Sequence, residues 1–201
     1  MNITLEFLKQ KEACEEGLDY LKANNLEEIE AYKLINKLNE DNKLDWNNWL
    51  LSKLFTHENC IKYAIYSAEL VLHIFEDKYP DDKRPRLAIK AAKKYLKTPT
   101  KKNKEAAGAA AWDAGDAGAA AWDAGDAGAA ARAAGAARAA DRAAGAAAWA
   151  ARAAGAAARA AARAAAWDAG AAAYNKLLQN IIDYGVELLK EQEKHNEQFH
   201  N

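Results

Sequence analysis

The residues best suited to binding chemistry in this chain interrupt a long alanine tract. Alanine accounts for 43 of the 68 residues from 106 to 173, and the remainder are glycine, aspartate, arginine and tryptophan. Arginine offers a planar fork of hydrogen-bond donors, and tryptophan offers a large rigid face. Paired carboxylates such as Asp113 and Asp116 could hold a metal, but no histidine accompanies them. We therefore expect a binding surface here rather than a catalytic or metal centre.

The charged and aromatic residues of the tract follow helical spacing. An acidic stripe with steps of four, seven and three comprises Trp112, Asp116, Asp123 and Asp126, and such steps keep side chains on one side of a helix. A second stripe with steps of 4, 7, 3, 7 and 4 comprises Arg138, Arg142, Trp149, Arg152, Arg159 and Arg163. The predicted partner-binding residues are Trp112, Asp113, Asp116, Trp122, Asp123, Asp126, Arg138, Arg142, Trp149, Arg152, Arg159, Arg163 and Trp167.

Two interpretations of these stripes remain open. Residues 106–130 carry a charge of -4 and residues 131–165 carry +5, so the stripes could pair across an antiparallel helical hairpin. Alternatively, they could line a groove for an acidic or phosphate-bearing partner. Both hold if the pairing is partial.

A second charged feature precedes the tract. Ten basic residues and no acidic residue lie between Lys83 and Lys104, which would suit an acidic protein or, less well, a nucleic acid. The candidates for this secondary basic contact are Arg84, Arg86, Lys90, Lys93 and Lys94. The simpler interpretation pairs the arginines around Pro85 with nearby acids in a helix-turn-helix joint; those acids are Glu76, Asp77, Asp81 and Asp82.

Helix start and stop signals predict an all-α chain. The predicted helices are residues 4–22 with Thr4 as N-cap, 26–38 with Asn25 as N-cap, one opening at Asp45 with Trp46 and Trp49 on its buried side, 58–79 ended by Pro80, and 86–96 with Pro85 in its first turn. No alternating run of β-branched residues indicates a strand.

The alanine tract is also predicted to be helical, because alanine is the best helix former. Residues 111–120 and 121–130 are the same ten letters, AWDAGDAGAA. A single helix over the whole tract would be about 100 Å long, so we expect it to fold back, with the turn at residues 128–135. We predict an N-terminal helical module over residues 1–100 and an alanine-rich hairpin with a C-terminal docking helix over residues 101–201, or one domain that joins them.

Composition and motifs exclude several classes of function. A net charge of -1 and a pI near 6.4 argue against a uniformly basic nucleic-acid binder. His73-x-x-Glu76 and His57-x-x-Cys60 are each half of a metal motif, and no cofactor motif is present, so we predict that the protein is not an enzyme. With neither a signal sequence nor an apolar span before or within the predicted helices, we expect a cytoplasmic protein that does not enter membranes.

One segment carries a family resemblance. Residues 73–86 read HIFEDKYPDDKRPR, residues 87–92 read LAIKAA, and the alanine tract follows. Over residues 60–175 this arrangement resembles the alanine-rich immunity proteins of bacterial polymorphic-toxin systems, which also occur in phage genomes. The resemblance implies direct binding and neutralisation of a protein toxin, although the tract departs from the family pattern in its many glycines.

Three hypotheses about function follow. The leading one is a non-enzymatic immunity or inhibitor protein whose partner is a toxin or another effector. The alternative is a phage-encoded anti-defence protein that blocks a nuclease complex, as anti-CRISPR proteins do, or sequesters a nucleotide signal between its helices. The third is a structural or ice-binding helical rod, which alanine richness suggests but the lack of regular threonine spacing disfavours.

Overall fold

The computed structural model describes residues 1–123, 139 and 147–200, and this part of the chain is helical apart from one short sheet. The elements are β1 (Asn2–Thr4), α1 (Leu5–Gln10), α2 (Glu15–Ala23), β2 (Glu28–Glu30), α3 (Ala31–Glu40), α4 (Leu44–Leu54), α5 (His57–Glu69), α6 (Leu72–Lys78), α7 (Arg84–Lys97), α8 (Lys101–Asp123) and α9 (Ala147–His200). The predicted all-α class is confirmed. The expectation of no strands was wrong at one place, where β1 pairs antiparallel with β2 and Ile3 lies opposite Ile29.

Residues with a left-handed backbone conformation (positive φ) end the first helices at places that the sequence did not predict. Thr4 is the predicted N-cap, and its Oγ1 accepts a hydrogen bond from the backbone N–H of Phe7 at 3.1 Å. However, Glu12 has φ 65°, and the helix ends there instead of running to residue 22. Asn25, predicted to begin a helix, has φ 54° and ends α2. Glycine is the usual residue at such helix ends. Because glutamate and asparagine stand there instead, these positions did not indicate that a helix ends.

The same geometry closes three helices in the N-terminal part. Glu12, Asn25 and Asn42 have positive φ. The residue after each of them donates its backbone N–H to the carbonyl five residues before it, as Ala13 does to Leu8 at 3.0 Å. This 6→1 bond, with a 5→2 bond beside it, is the Schellman motif. The predicted helix over residues 58–79 is likewise divided, into α5 and α6.

The main core is built by large side chains of α4, α5 and the second half of α9. Gly170, with φ 77°, interrupts α9, and the part beyond it packs on α4 and α5. Its fully buried residues include Leu178, Ile181 and Ile182. Gly185 allows the closest approach, because a Cβ there would lie 2.7 Å from the ring of Tyr63.

A polar contact fastens the end of α9 to the junction of α4 and α5. The side chain of Gln192 accepts a hydrogen bond from the backbone N–H of Thr56 at 2.8 Å and donates one to the carbonyl of Leu54 at 3.1 Å. The buried amide of Asn59 donates to the carbonyl of Leu188 at 3.1 Å. The two hydrogen bonds of Gln192 satisfy backbone groups that the α4–α5 junction leaves without helical partners.

A layer of alanines joins α7 to α8. The buried residues of α8 recur at helical spacing and are Asn103, Ala107, Ala111, Ala114 and Ala117. They face α7, whose buried residues are Pro85, Ala88, Ile89 and Ala92. Because the facing side chains are mostly methyl groups, the two backbones pack closely. α8 continues through Gly108 without interruption, and the predicted turn at residues 128–135 lies outside the described residues.

Candidate binding surfaces

Two large apolar side chains are exposed on the paired helices α7 and α8. Trp112 is 69% exposed and Leu87 is 54% exposed, and the third exposed large apolar residue in the described part of the chain is Met1. Exposed apolar groups that cluster, rather than occurring singly, mark interaction sites. Trp112 and Leu87 are therefore the first residues to consider for an interaction site.

Both residues lie at the same level of the α7–α8 hairpin. Leu87 is ten residues before the end of α7 at Lys97, and Trp112 is eleven residues after the start of α8 at Lys101. At 1.5 Å per residue, each is about 15 Å from the connecting turn. Arg84, one turn before Leu87, lies close enough to Asp113 and Asp116 for their charges to help raise its pKa. The hairpin patch comprises Arg84, Arg86, Leu87, Trp112, Asp113 and Asp116.

Ion pairs hold the arginines of the hairpin patch in place. The guanidinium of Arg84 donates to the carboxylate of Asp82 at 2.6 to 3.1 Å, and the backbone N–H of Arg84 donates to the same carboxylate at 3.0 Å. Arg86 forms a bidentate pair with Glu76, in which Nε donates at 2.5 Å. Hydrogen bonds from these arginines hold the pKa values of Glu76 and Asp82 below their ordinary ranges. The joint around Pro85 is therefore ion-paired, as the simpler interpretation of this segment predicts.

The remaining predicted basic contacts lie further along α7. Lys93 pairs with Glu69 of α5 at 2.5 Å, while Lys90 and Lys94 are exposed on the solvent side of the helix. Thus three of the five residues predicted for a secondary basic contact hold neighbouring carboxylates.

The structure describes four of the predicted partner-binding side chains. Trp112, Asp113 and Asp116 are exposed on α8, and Arg163 is exposed on α9. Asp126, Arg138 and Arg142 lie outside the described residues, as do the side chains of Trp122, Asp123, Trp149, Arg152, Arg159 and Trp167. The acidic residues Asp113 and Asp116 lie near Arg84 of α7, which is a neighbour that the two-stripe interpretation did not anticipate.

A groove of about 360 Å³ is a second candidate surface, lined by residues of α1 to α4 and by Arg163 of α9. This aromatic groove is lined by Leu8, Glu12, Ala13, Cys14, Gly17, Tyr20, Leu21, Leu34, Leu38, Asp45, Trp46, Trp49, Leu50 and Arg163. Its leucines are buried, and its polar residues Glu12, Cys14, Asp45 and Arg163 are exposed. The groove thus has an apolar floor and a charged rim.

Aromatic side chains of α2 and α4 hold each other in the groove wall. The rings of Tyr20 and Trp46 meet edge to face with centroids 5.4 Å apart. The Tyr20 hydroxyl donates to the carboxylate of Asp41 at 2.5 Å, and burial together with this bond raises the pKa of Tyr20 to about 12. On the rim, Asp45 accepts a hydrogen bond from the hydroxyl of Tyr174 at 2.9 Å.

Sequence reasoning missed both apolar features of these surfaces. Leu87 lies on the polar face of α7, between Arg86 and Lys90. Its position in the helical repeat could therefore have predicted that it is exposed. Trp46 and Trp49 were expected on the buried side of their helix, but both are only half-buried. Their groove exists because the chain turns back at Glu12, and nothing in the sequence indicates that turn.

The described residues contain no group of three or more His, Cys, Asp or Glu side chains arranged to hold a metal ion. None of the helices in residues 1–123 and 147–200 is long and apolar enough to cross a membrane.

Comparison with known protein families gives a match over half of the chain. A family model described as Imm-5 like putative immunity protein matches residues 50–151, just over half of the chain. This match confirms the resemblance that residues 73–92 and the alanine tract indicated, and it includes every residue of the hairpin patch. No curated protein and no solved structure matches the chain significantly.

Proposed function

The chain belongs to the Imm-5-like family of immunity proteins, and on that premise we propose that it neutralises a protein toxin by binding it directly, without catalysis. The proposed binding site rests on one observation: Trp112 and Leu87 are both exposed, and they lie at the same distance from the turn of the α7–α8 hairpin. Both lie within the residues that match the family.

The hairpin patch has the composition of an interface centre. Tryptophan and arginine are among the residues that most often dominate binding energy, because tryptophan buries a large rigid face and arginine offers a planar fork of hydrogen-bond donors. Arg84 and Arg86 are already oriented by Asp82 and Glu76. A partner that contacts them does not have to order them first, which reduces the entropic cost of binding.

The alanine layer beneath the hairpin patch supports this role. Ala111 and Ala114 flank the exposed Trp112 in sequence and are themselves 4% and 0% exposed. Trp112 therefore projects from a backbone that is packed tightly against α7. A rigid platform of this kind presents an anchor side chain without a conformational change on binding.

The test is protection against any toxin encoded beside the gene, measured by growth on co-expression and by the Kd of the purified pair. We expect Trp112→Ala to weaken binding by about 2 kcal/mol or more, roughly thirtyfold in Kd, and Leu87→Ala to weaken it less. Thermal unfolding should be nearly unchanged for both variants, because neither side chain is buried.

Lys97→Ala, on the same helix but outside the hairpin patch, is the matched control and should bind normally. Trp112→Phe should retain part of the affinity, since an aromatic anchor remains. If Trp112→Ala and Leu87→Ala both bind and protect as the unaltered protein does, the hairpin patch is not the toxin-binding site.

A further inference from the structure

The lysines around the turn of the α7–α8 hairpin have fewer acidic partners than those of earlier helices. Every lysine of α2, α3 and α5 forms an ion pair with a carboxylate three or four residues away, and these lysines are Lys22, Lys33, Lys37 and Lys62. Around the turn, six lysines are exposed, and together they form the lysine face: Lys90, Lys94, Lys97, Lys101, Lys102 and Lys104. Lys101 approaches Glu105 at 3.9 Å, and the other five form no ion pair with any residue that the structure describes.

The positive charge of the lysine face is local. Over residues 90–105 the six lysines and Glu105 leave a charge of +5, when Lys93 is counted as neutralised by its partner Glu69. The whole chain, in contrast, has a net charge of -1. The field of such a cluster extends over about a Debye length, roughly 10 Å at 0.1 M salt, and attracts anionic surfaces.

Helix stability accounts for only part of this arrangement. Lys94 and Lys97 lie in the last turn of α7, where the negative end of the helix dipole favours cations. However, α8 begins with Lys101 and Lys102 and has no acidic residue in its first turn, where the dipole disfavours cations. Lys90 and Lys94 are like charges four residues apart, which also destabilises a helix slightly. A negatively charged partner would relieve both repulsions.

The lysine face continues from the exposed apolar side chain of α7. Four exposed residues of this helix follow steps of three, four and three, and therefore lie on one side of it: Leu87, Lys90, Lys94 and Lys97. Lys90 follows Leu87 by about one helical turn, a rise of roughly 5 Å. A partner that covers Leu87 therefore brings its own surface within the electrostatic range of the lysines.

The side chains of the lysine face favour an acidic protein over a nucleic acid. Residues 87–111 contain no arginine, and their one aromatic residue, Tyr95, is half-buried. Surfaces that bind nucleic acids usually add arginine forks for phosphates and exposed aromatic rings that stack on bases. Lysine ammonium groups act as point charges, which carboxylates on a protein surface can approach from several directions.

Building on the proposed function, we propose that the lysine face binds an acidic surface of the protein toxin, beside the contacts of Leu87 and Trp112. Charged groups at the rim of an interface act mainly on the association rate, so the lysines accelerate encounter and the hairpin patch slows dissociation. Lys97→Ala removes one of six charges and changes Kd by less than about twofold, so it remains a suitable control for Trp112→Ala.

Two variants with equal loss of charge test the position of the site. The face variant carries three substitutions in the lysine face, Lys90→Gln, Lys94→Gln and Lys102→Gln. The control variant neutralises three exposed lysines of α1, α3 and α9, with Lys9→Gln, Lys33→Gln and Lys176→Gln. Because both variants lose the same charge, a difference between them reports where the lysines lie and not how many there are.

The chemistry of the lysine face can be tested without the toxin, with a capped hexaglutamate peptide as the probe in NMR titrations of the full chain. We expect the peptide to shift the amide signals of residues 90–104, the face variant to weaken its binding about fivefold, and the control variant to weaken it less than twofold. Equal weakening by both variants, or peptide binding that the face variant retains, would overturn the proposal. So would hexathymidylate binding to the same residues at least tenfold more tightly than hexaglutamate, which would indicate a nucleic-acid partner.

The partner role is tested by the kinetics of toxin binding. At about 0.03 M salt the face variant should associate at least roughly fivefold more slowly than the unaltered protein, with a weaker dependence on salt up to about 0.3 M and a dissociation rate changed less than twofold. Trp112→Ala should act chiefly on dissociation. If the face variant associates normally while Trp112→Ala weakens binding, the lysine face proposal fails and the proposed function stands. If the face variant associates slowly while Trp112→Ala and Leu87→Ala bind normally, the hairpin patch fails instead.

Discussion

The contact of α9 with α4 and α5 and the contact of α8 with α7 hold helices together with different side chains. In the first, Leu178, Ile181 and Ile182 are fully buried among leucines and tyrosines, and one glycine admits Tyr63. In the second, methyl groups of alanine face each other along both helices. The first contact gains stability from a large apolar area, and the second gains it from close backbone approach over a long helix.

The difference also explains where a large apolar side chain can be exposed. A helix that needs only alanines to pack can expose its large side chains, and α8 exposes Trp112. In the large-side-chain core, tyrosines and leucines are needed inside. Packing therefore requires fewer large side chains in the alanine hairpin than in the core.

The largest expected effect is a difference in the free energy of unfolding between two glycine substitutions, one in each helix contact. Gly185→Ala would place a Cβ 2.7 Å from Tyr63 and 3.1 Å from Leu51, so we expect it to lower the free energy of unfolding by about 1 to 3 kcal/mol. Gly108→Ala meets nothing within 4 Å and should raise it by up to about 1 kcal/mol. Urea denaturation measures both, and equal effects would contradict the contrast.

A smaller effect concerns the N-terminal helix ends. Glu12 has φ 65°, a conformation that costs a residue with a side chain about 1 to 2 kcal/mol, whereas glycine adopts it freely at some cost in unfolded-state entropy. We expect Glu12→Gly to raise the melting temperature by the equivalent of about 0.5 to 1 kcal/mol. Asn25→Gly is the control and should gain less, because asparagine tolerates this conformation; a loss in Glu12→Gly would show that its side-chain contacts outweigh the backbone.

The smallest expected effect is the acid sensitivity of the joint before α7. The pKa values of Glu76 and Asp82 are lowered from 4.5 and 3.8 by hydrogen bonds from Arg86 and Arg84. A lowered pKa in the folded state stabilises the fold above those ordinary values, and this stabilisation disappears as the pH falls through the folded pKa. Stability should therefore decline below pH 4.5, and Arg86→Met should make that decline shallower in acid titrations followed by circular dichroism; an unchanged slope would count against the pair.

The bounds of the helix after Pro85 were easier to predict from the sequence than the bounds of the first helices. The helix after Pro85 was predicted almost to its ends, because proline in the first turn and Thr98-Pro99 after the last are strong local signals. The helices around Glu12 and Asn25 were placed wrongly, because residues other than glycine occupy the left-handed positions. The half-buried state of Trp46 and Trp49 was also missed, since helical periodicity does not reveal how far the neighbouring helices extend.

The sequence by itself determined the helical class and the family, because propensity, proline positions and a distinctive segment are local properties. Only the tertiary structure decided that Leu87 lies level with Trp112, that Asp113 and Asp116 approach Arg84, and that a groove opens beside Trp46. Those relations join residues far apart in sequence, and they depend on where each helix turns back. Where each helix turns back depends on the packing of whole helices, which no local sequence pattern specifies.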